Sequence, residues 1–190
     1  SLTARFTSTS EKYENQVLAK LNVADPEANE FIIPVPWFYP EESTDPTSIH
    51  MTRVRLEAEL APNCRIDPPL AMVDLTEENY YTFTNAQGES REIMITGKRT
   101  KSAKCNLMTF TLTKPYQIEG FIDDDKKEVY LFTTDDLDGF SGEATVCAHA
   151  TLQTDLTVKK NYNNEQEVTV MAQDEKTTCT YKIIKKYPNK

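Results

Sequence analysis

The chain reads as all-β, and three features of its sequence predict this. Apolar and polar residues alternate in short runs, as in Val54, Leu56, Ala58 and Leu60, and again in Val146, Ala148, Ala150 and Leu152. That period of two is the signature of a half-buried strand. Such runs recur every 8 to 12 residues or so with turn residues between them, the spacing of a sandwich or barrel. The same succession also occurs twice. Tyr81 and Phe83, the turn Ala86-Gln87-Gly88-Glu89, then Ile93 and Ile95 answer to Val168 and Val170, the turn Gln173-Asp174-Glu175-Lys176, then Tyr181 and Ile183. The prediction is one β-domain written twice, with a polar N-terminal arm over 1–15, a first β-domain over 16–99 and a second over 100–190.

In chain order, residues 1–15 are polar and lack periodicity, hence the arm. Gln16 to Val23 alternates enough for a strand that Pro26 ends. Glu30 to Val35 is a second, and Pro34 and Pro36 make it an edge or a strand end. Trp37-Phe38-Tyr39-Pro40 and the polar loop Glu41 to Ser48 follow, then a strand over Thr52 to Leu60. Pro62, Pro68 and Pro69 punctuate the passage to a hairpin over Tyr80 to Thr96. The second copy opens with Asn106 to Thr113, where Met108, Phe110 and Leu112 are expected to face one way, and Pro115 breaks it. Ile118 to Ile122 and Glu128 to Phe132 flank a polar reversal over Asp123 to Lys127, where Asp can bond its own backbone. A strand over Ala144 to Leu152 and a final hairpin complete the copy. Leu56, Phe83, Ile93, Phe110, Val129, Leu131, Val170 and Tyr181 are the expected core.

Acidic residues outnumber basic ones 30 to 21, for a formal net charge of −9 and a pI near 4.8. An acidic surface disfavours anionic partners, and no basic face of the kind that binds nucleic acid stands out. No apolar run approaches the roughly 20 residues that span a bilayer. The four cysteines, Cys64, Cys105, Cys147 and Cys179, allow three complete pairings. Free, inert thiols are the first reading and a disulfide the second, with alternation opposing a Cys147–Cys179 bridge.

Nothing in the spacing assembles a known chemistry. His50 and His149 read as surface histidines. Gly139-Phe140-Ser141-Gly142 lacks the G-x-S-x-G spacing of a nucleophile elbow. Asp135, Asp136 and Asp138 depart from the EF-hand pattern, so a solvated acidic loop is preferred to an irregular calcium site. No cofactor or metal is expected. Trp37-Phe38-Tyr39 is the informative oddity. Alternation sends Trp37 and Tyr39 to one side of a proline-stiffened segment, where they either pack or form an exposed ring platform for a sugar or a protein.

The second copy resembles the repeated immunoglobulin-like sandwich domains of unknown function in Bacteroidetes surface lipoproteins. Gly120, Ile122 and Asp123 match their G-x-I-D segment. Val168, Val170, Ala172, Asp174, Lys176, Tyr181 and Ile183 match their terminal hairpin, with one extra residue in the turn. The first copy keeps Gly88 but lacks G-x-I-D and carries the Trp37 group instead. The resemblance implies two tandem immunoglobulin-like β-sandwiches in a non-enzymatic module at the periplasm or outer-membrane surface. The lipid anchor would lie upstream of Ser1. The module would bind a glycan or another surface protein, with Trp37 and Tyr39 as candidate ligand residues, or act as a spacer. The alternative is an assembly subunit, pilus-like or adhesin-like, that joins partners by strand addition.

Overall fold

The structure is a computed structural model that describes residues 1–7 and 11–188. The chain forms two compact units, Ser1–Lys101 and Ser102–Lys190. The first ends two residues beyond the expected boundary because its last strand runs on to Thr100.

Unit 1 contains β1 (Leu2–Phe6), β2 (Val17–Leu21), β3 (Glu30–Pro36), β4 (Val54–Ala58), β5 (Arg65–Asp67), β6 (Met72–Val73), β7 (Asn79–Thr84) and β8 (Ser90–Thr100). They form two four-stranded sheets, ordered β2-β1-β4-β6 and β3-β8-β7-β5. β3 lies parallel to β8, and the other pairs are antiparallel. Ala4, Phe6, Val54 and Leu56 from one sheet and Ile33, Val35, Ile93 and Ile95 from the other share a buried core.

The polar arm expected over 1–15 is instead β1 and a 3-10 turn, Glu11–Tyr13; residues 8–10 of that span lie outside the described residues. Leu2, Ala4 and Phe6 alternate inward, and β1 pairs with both β2 and β4. A five-residue strand whose inward set includes an alanine gives a weak local signal. Its burial comes from partners supplied later in the chain.

Unit 2 contains β9 (Leu107–Lys114), β10 (Ile118–Glu119), β11 (Phe121–Asp123), β12 (Glu128–Phe132), β13 (Ser141–Val146), β14 (Thr151–Leu152), β15 (Gln166–Met171) and β16 (Thr178–Lys186). Its sheets are ordered β10-β9-β13 and β11-β12-β16-β15-β14. The repeat is thus present in the topology. β2-β1-β4 recurs as β10-β9-β13, and β3-β8-β7-β5 as β12-β16-β15-β14, including the parallel pair, now β12 with β16.

The hairpin turns fix the correspondence. The Gly88 N–H donates to the Asn85 carbonyl, and the Glu175 N–H to that of Ala172, both at 3.0 Å. Gly88 and Glu175 share a left-handed backbone, with φ of 83° and 58°. Phe83 then corresponds to Val170, and they face Ile66 and Leu152 respectively. Val54 does not correspond to Val146, as simple alternation suggests. Val54 pairs with Phe6, and Val146 with Leu107, so Ala58 takes the place of Val146. The alternation from Val146 to Leu152 is not one strand either: residues 147–150 form a turn in which His149 has φ of 64°.

The expected core residues are buried except Phe83, which is half-buried. Met108 is exposed where it was expected to share a face with Phe110. The ladder between β9 and β13 shifts register there, passing from Thr109↔Thr145 to Leu107↔Val146. That bulge turns Leu107 inward instead.

Cys105 and Cys179 form a disulfide with their Cα atoms 5.6 Å apart, while Cys64 and Cys147 are unbonded. The preference for free thiols therefore fails for one pair. The bridge joins the segment before β9 to β16 across a sequence separation of 74.

Two outcomes are expected. Phe110, 1% exposed, should cost about 3–5 kcal/mol on truncation to alanine, read from chemical denaturation. A loss below about 1 kcal/mol would place it outside the core. Cys105→Ser with Cys179→Ser should cost about 4 kcal/mol from loop closure alone, and an unchanged denaturation midpoint in the double variant would show the bridge to be absent.

Candidate functional site

Unit 1 carries a cavity of about 340 Å³ lined from both sheets. Leu2 and Ala58 contribute from one sheet, and Phe31, Ile66, Phe83 and Ile95 from the other. The lining is mainly hydrocarbon. Two charged residues join it, Arg91 and Glu59, and Glu59 accepts a hydrogen bond from the Ser1 hydroxyl at 2.9 Å.

The corresponding strand positions of unit 2 are filled differently. Leu107, Val129, Val170, Tyr181 and Ile183 are buried there. Cys179 faces Val170 just as Arg91 faces Phe83, so a disulfide half-cystine occupies the position of the arginine. The Tyr181 hydroxyl donates to Asp124 and accepts the Leu107 N–H at 3.2 Å. Asn106 Nδ2 donates to the same carboxylate at 2.8 Å.

Trp37 and Tyr39 do not continue β3, which ends at Pro36, so strand alternation no longer governs them. Their rings have different neighbours. The Arg99 guanidinium lies 4.0 Å from the centroid of the Trp37 ring and Lys101 Nζ lies 5.1 Å from it. Arg99 also donates to the Trp37 carbonyl at 2.7 Å and to Thr47 Oγ1 at 3.1 Å. Burial pulls the Arg99 pKa below its ordinary value, and the adjoining π-face suits a partly dehydrated cation. Tyr39 packs against Phe6 and Tyr13, with centroids at 4.8 and 5.0 Å, and its hydroxyl donates to Gln16 Oε1 at 2.7 Å.

His50, read from sequence as a surface residue, belongs to that same aromatic group. Its ring lies 5.3 Å from Phe6 and 5.5 Å from Tyr13, and Nε2 is 3.3 Å from Asp45 Oδ1. Tyr13 donates to Asp45 Oδ2 at 2.7 Å. That bond, with His50 second, holds the Asp45 carboxyl below its usual value. The arrangement fastens the 37–53 loop to β1. In unit 2, Asp135 and Asp136 accept hydrogen bonds from Tyr116 and Asn163, both at 2.6 Å. Among the described residues, no group of three or more His, Cys, Asp or Glu is placed to hold a metal ion.

Fold and cavity together define an all-β chain of two repeated units, one stapled by a disulfide and one carrying an apolar cleft. The chain belongs to the family described as Domain of unknown function (DUF5018), which matches residues 1–97. A second family, Domain of unknown function (DUF8499), matches residues 107–185. The first match includes the segment expected to be an arm. No curated protein matches the chain. Part of it is similar to a proposed glycoside hydrolase from Bacteroides thetaiotaomicron VPI-5482, at 15% identity over 48% of this chain and 27% of that one, with a TM-score of 0.39. Part is similar to a DUF4623 family protein from Bacteroides eggerthii DSM 20697, at 22% identity over 44% and 22% of the two chains, with a TM-score of 0.33. The chain thus spans about a quarter of the length of these structures, and neither likeness bears on its chemistry.

Because the Asp45 pKa is lowered in the folded state, its contribution to stability is present above the ordinary value of 3.8 and is lost as pH falls through the folded value. Asp45→Asn should lower the thermal midpoint at neutral pH and flatten its decline on acidification. A variant that declines as steeply as the parent would remove Asp45 from the acid response.

Proposed function

We propose that the chain is a non-enzymatic binding module that works outside the cytoplasm. In this reading unit 1 holds a small ligand in its inter-sheet cavity, and unit 2 is the stapled support. The carrying observation is the cavity of about 340 Å³ lined from both sheets of unit 1, together with the disulfide Cys105–Cys179 in unit 2. A disulfide persists in an oxidising compartment and is rare in the cytosol. This supports export, and with it the expected place at the periplasm or outer surface as a Bacteroidetes-type lipoprotein of immunoglobulin-like sandwiches anchored upstream of Ser1. A cleft with a hydrocarbon lining and few polar groups is the usual form of a small-ligand site. A glycan platform at Trp37 and Tyr39 draws less support, since a cation already lies over the Trp37 ring and Tyr39 is packed among aromatics.

Export is tested by alkylating the protein from its native cells before reduction and measuring intact mass. Two adducts, at Cys64 and Cys147, are expected; four would place the chain in a reducing compartment. The cavity is tested by a thermal-shift screen of small molecules against the parent and an Ala58→Phe variant that fills the cleft. A true ligand at a hundredfold excess over its Kd should add about 2.7 kcal/mol to the parent and nothing to the variant. A stabilisation that survives the filling would move the site elsewhere.

A further inference from the structure

β3 is an edge strand, and part of its edge is open. It ends its sheet, parallel to β8, and among the described residues no strand pairs with its other side. The Asn29 carbonyl accepts the Met94 N–H at 2.8 Å. In a parallel ladder alternate residues bond to the same neighbour. Asn29, Phe31 and Ile33 therefore turn their backbone groups to β8, while Glu30, Ile32 and Pro34 turn theirs to the free side. Pro34 and Pro36 have no N–H, which is a usual guard on an edge. Glu30 and Ile32 lack that guard, and both are exposed. A groove of about 270 Å³ is lined by Glu30, Phe31 and Ile32 together with residues 21–25.

Unit 2 shows what fits there. Its β12 is the counterpart of β3: the Lys127 carbonyl accepts the Lys182 N–H at 2.9 Å, and Glu128↔Lys182 repeats Glu30↔Met94. Tyr130, Val129 and Glu128 thus answer to Ile32, Phe31 and Glu30. In unit 2 the free side is taken by β11, antiparallel, with Phe121↔Tyr130, Ile122↔Val129 and Asp123↔Glu128. Unit 1 has no counterpart of β11. Its β2 stays with β1 as far as Leu21, and residues 22–29 then reach β3 without forming a strand. We propose that the open edge of β3 takes up an extended segment of a partner protein, antiparallel, in the place that β11 fills in unit 2. The register fixes its chemistry. From N- to C-terminus, an apolar residue lies opposite Ile32, which is 47% exposed. An aliphatic one opposite Phe31 points inward, as Ile122 does onto the core of unit 2. A basic one lies opposite Glu30, since the groove carries Asp25 and Glu30 and no basic residue. An added strand draws its affinity from main-chain hydrogen bonds and its selectivity from alternate side chains. A second copy of β3 fits less well, because pairing Ile32 with Ile32 would set Pro34, which has no N–H, against Glu30. This surface goes beyond the cavity and stands without it.

The test is calorimetric titration of the full chain with the capped peptide Ser-Thr-Phe-Ile-Lys-Thr-Ser. One equivalent should bind, and the same peptide with Glu in place of Lys should bind about threefold or more weakly. Glu30→Lys should reverse that preference. N-methylation of the Phe and Lys nitrogens, which face β3 in this register, should abolish binding, and N-methylation of the Ile nitrogen, which faces away, should not. On binding, amide exchange should slow at Glu30 and Ile32 and stay unchanged at Ile33, which is already bonded to β8. Ile32→Pro, which removes the central N–H of the edge, should not bind the peptide. Equal loss on methylating any of the three nitrogens, or protection that appears elsewhere, overturns strand addition. So does the absence of binding, which leaves the cavity reading untouched. Self-association that Ile32→Pro removes, without peptide binding, gives the edge to a second copy and overturns the partner. Should Ile32→Pro fail to fold, the methylated peptides decide on the parent protein.

Discussion

Two packed sheets meet face to face, but a sandwich has ends, and at each end the apolar space between the sheets must be closed. That constraint governs both units. The facing residues of β1, β4, β7 and β8, and of β9, β13, β15 and β16, bury their inward sets almost completely along the middle of each sandwich. At one end the solutions diverge. Unit 2 draws the segment before β9 onto β16 with a disulfide and fills the remaining space with a tyrosine whose hydroxyl is satisfied by Asp124 and the Leu107 N–H. Unit 1 has an isoleucine in place of the tyrosine and an arginine in place of the half-cystine. The cavity of unit 1 lies beside both, lined also by Phe31 and Phe83.

The shared scaffold makes that divergence readable. A tight turn with one left-handed residue ends at Gly88 in one copy and Glu175 in the other. Glycine takes that conformation freely, while glutamate does so at a cost. In the second copy Asp174 compensates: its carboxylate accepts the N–H groups of Lys176 and Thr177, both at 2.8 Å. The same bonds hold the Asp174 carboxyl below its ordinary value. With the turns equivalent, the cross-strand partners follow residue by residue, and Arg91 can be set against Cys179 although the two halves match different families.

Much of the fold was legible because alternation reports burial directly. The hairpins, β4, β12 and most of the core residues follow from period two alone. The failures share a cause, which is contact with residues distant in sequence. β1 is five residues long and is buried by β2 and β4, neither of which its own sequence announces. The bulge at Met108 reverses the phase of the first two residues of β9, and only the partner strand reveals it. His50 looked exposed because it stands just before a strand and no spacing supplies it a partner, yet Phe6 and Tyr13 come to it from elsewhere in the chain. The disulfide was missed because cysteine spacing does not measure Cα separation, and 5.6 Å across a span of 74 residues is a property of the topology.

The candidate site was the least legible part, although a signal was present. The first half offers two arginines beside aromatics, and they differ in the strand pattern around them. Arg99 is followed within two residues by the end of unit 1, and its stack on Trp37 is tied by backbone and hydroxyl acceptors. Arg91 begins the run Arg91, Ile93, Ile95, in which every second position otherwise belongs to the core. A charge in phase with an apolar face is either carried out to the solvent at a strand end or met by something that complements it. Arg91 manages the first only in part: Nη1 reaches the exposed Glu27, while Nε stays buried without an acceptor. An aromatic group such as Trp37-Phe38-Tyr39 is conspicuous in a sequence because of its composition. A charge out of keeping with its own strand is conspicuous only once the strand's phase is known.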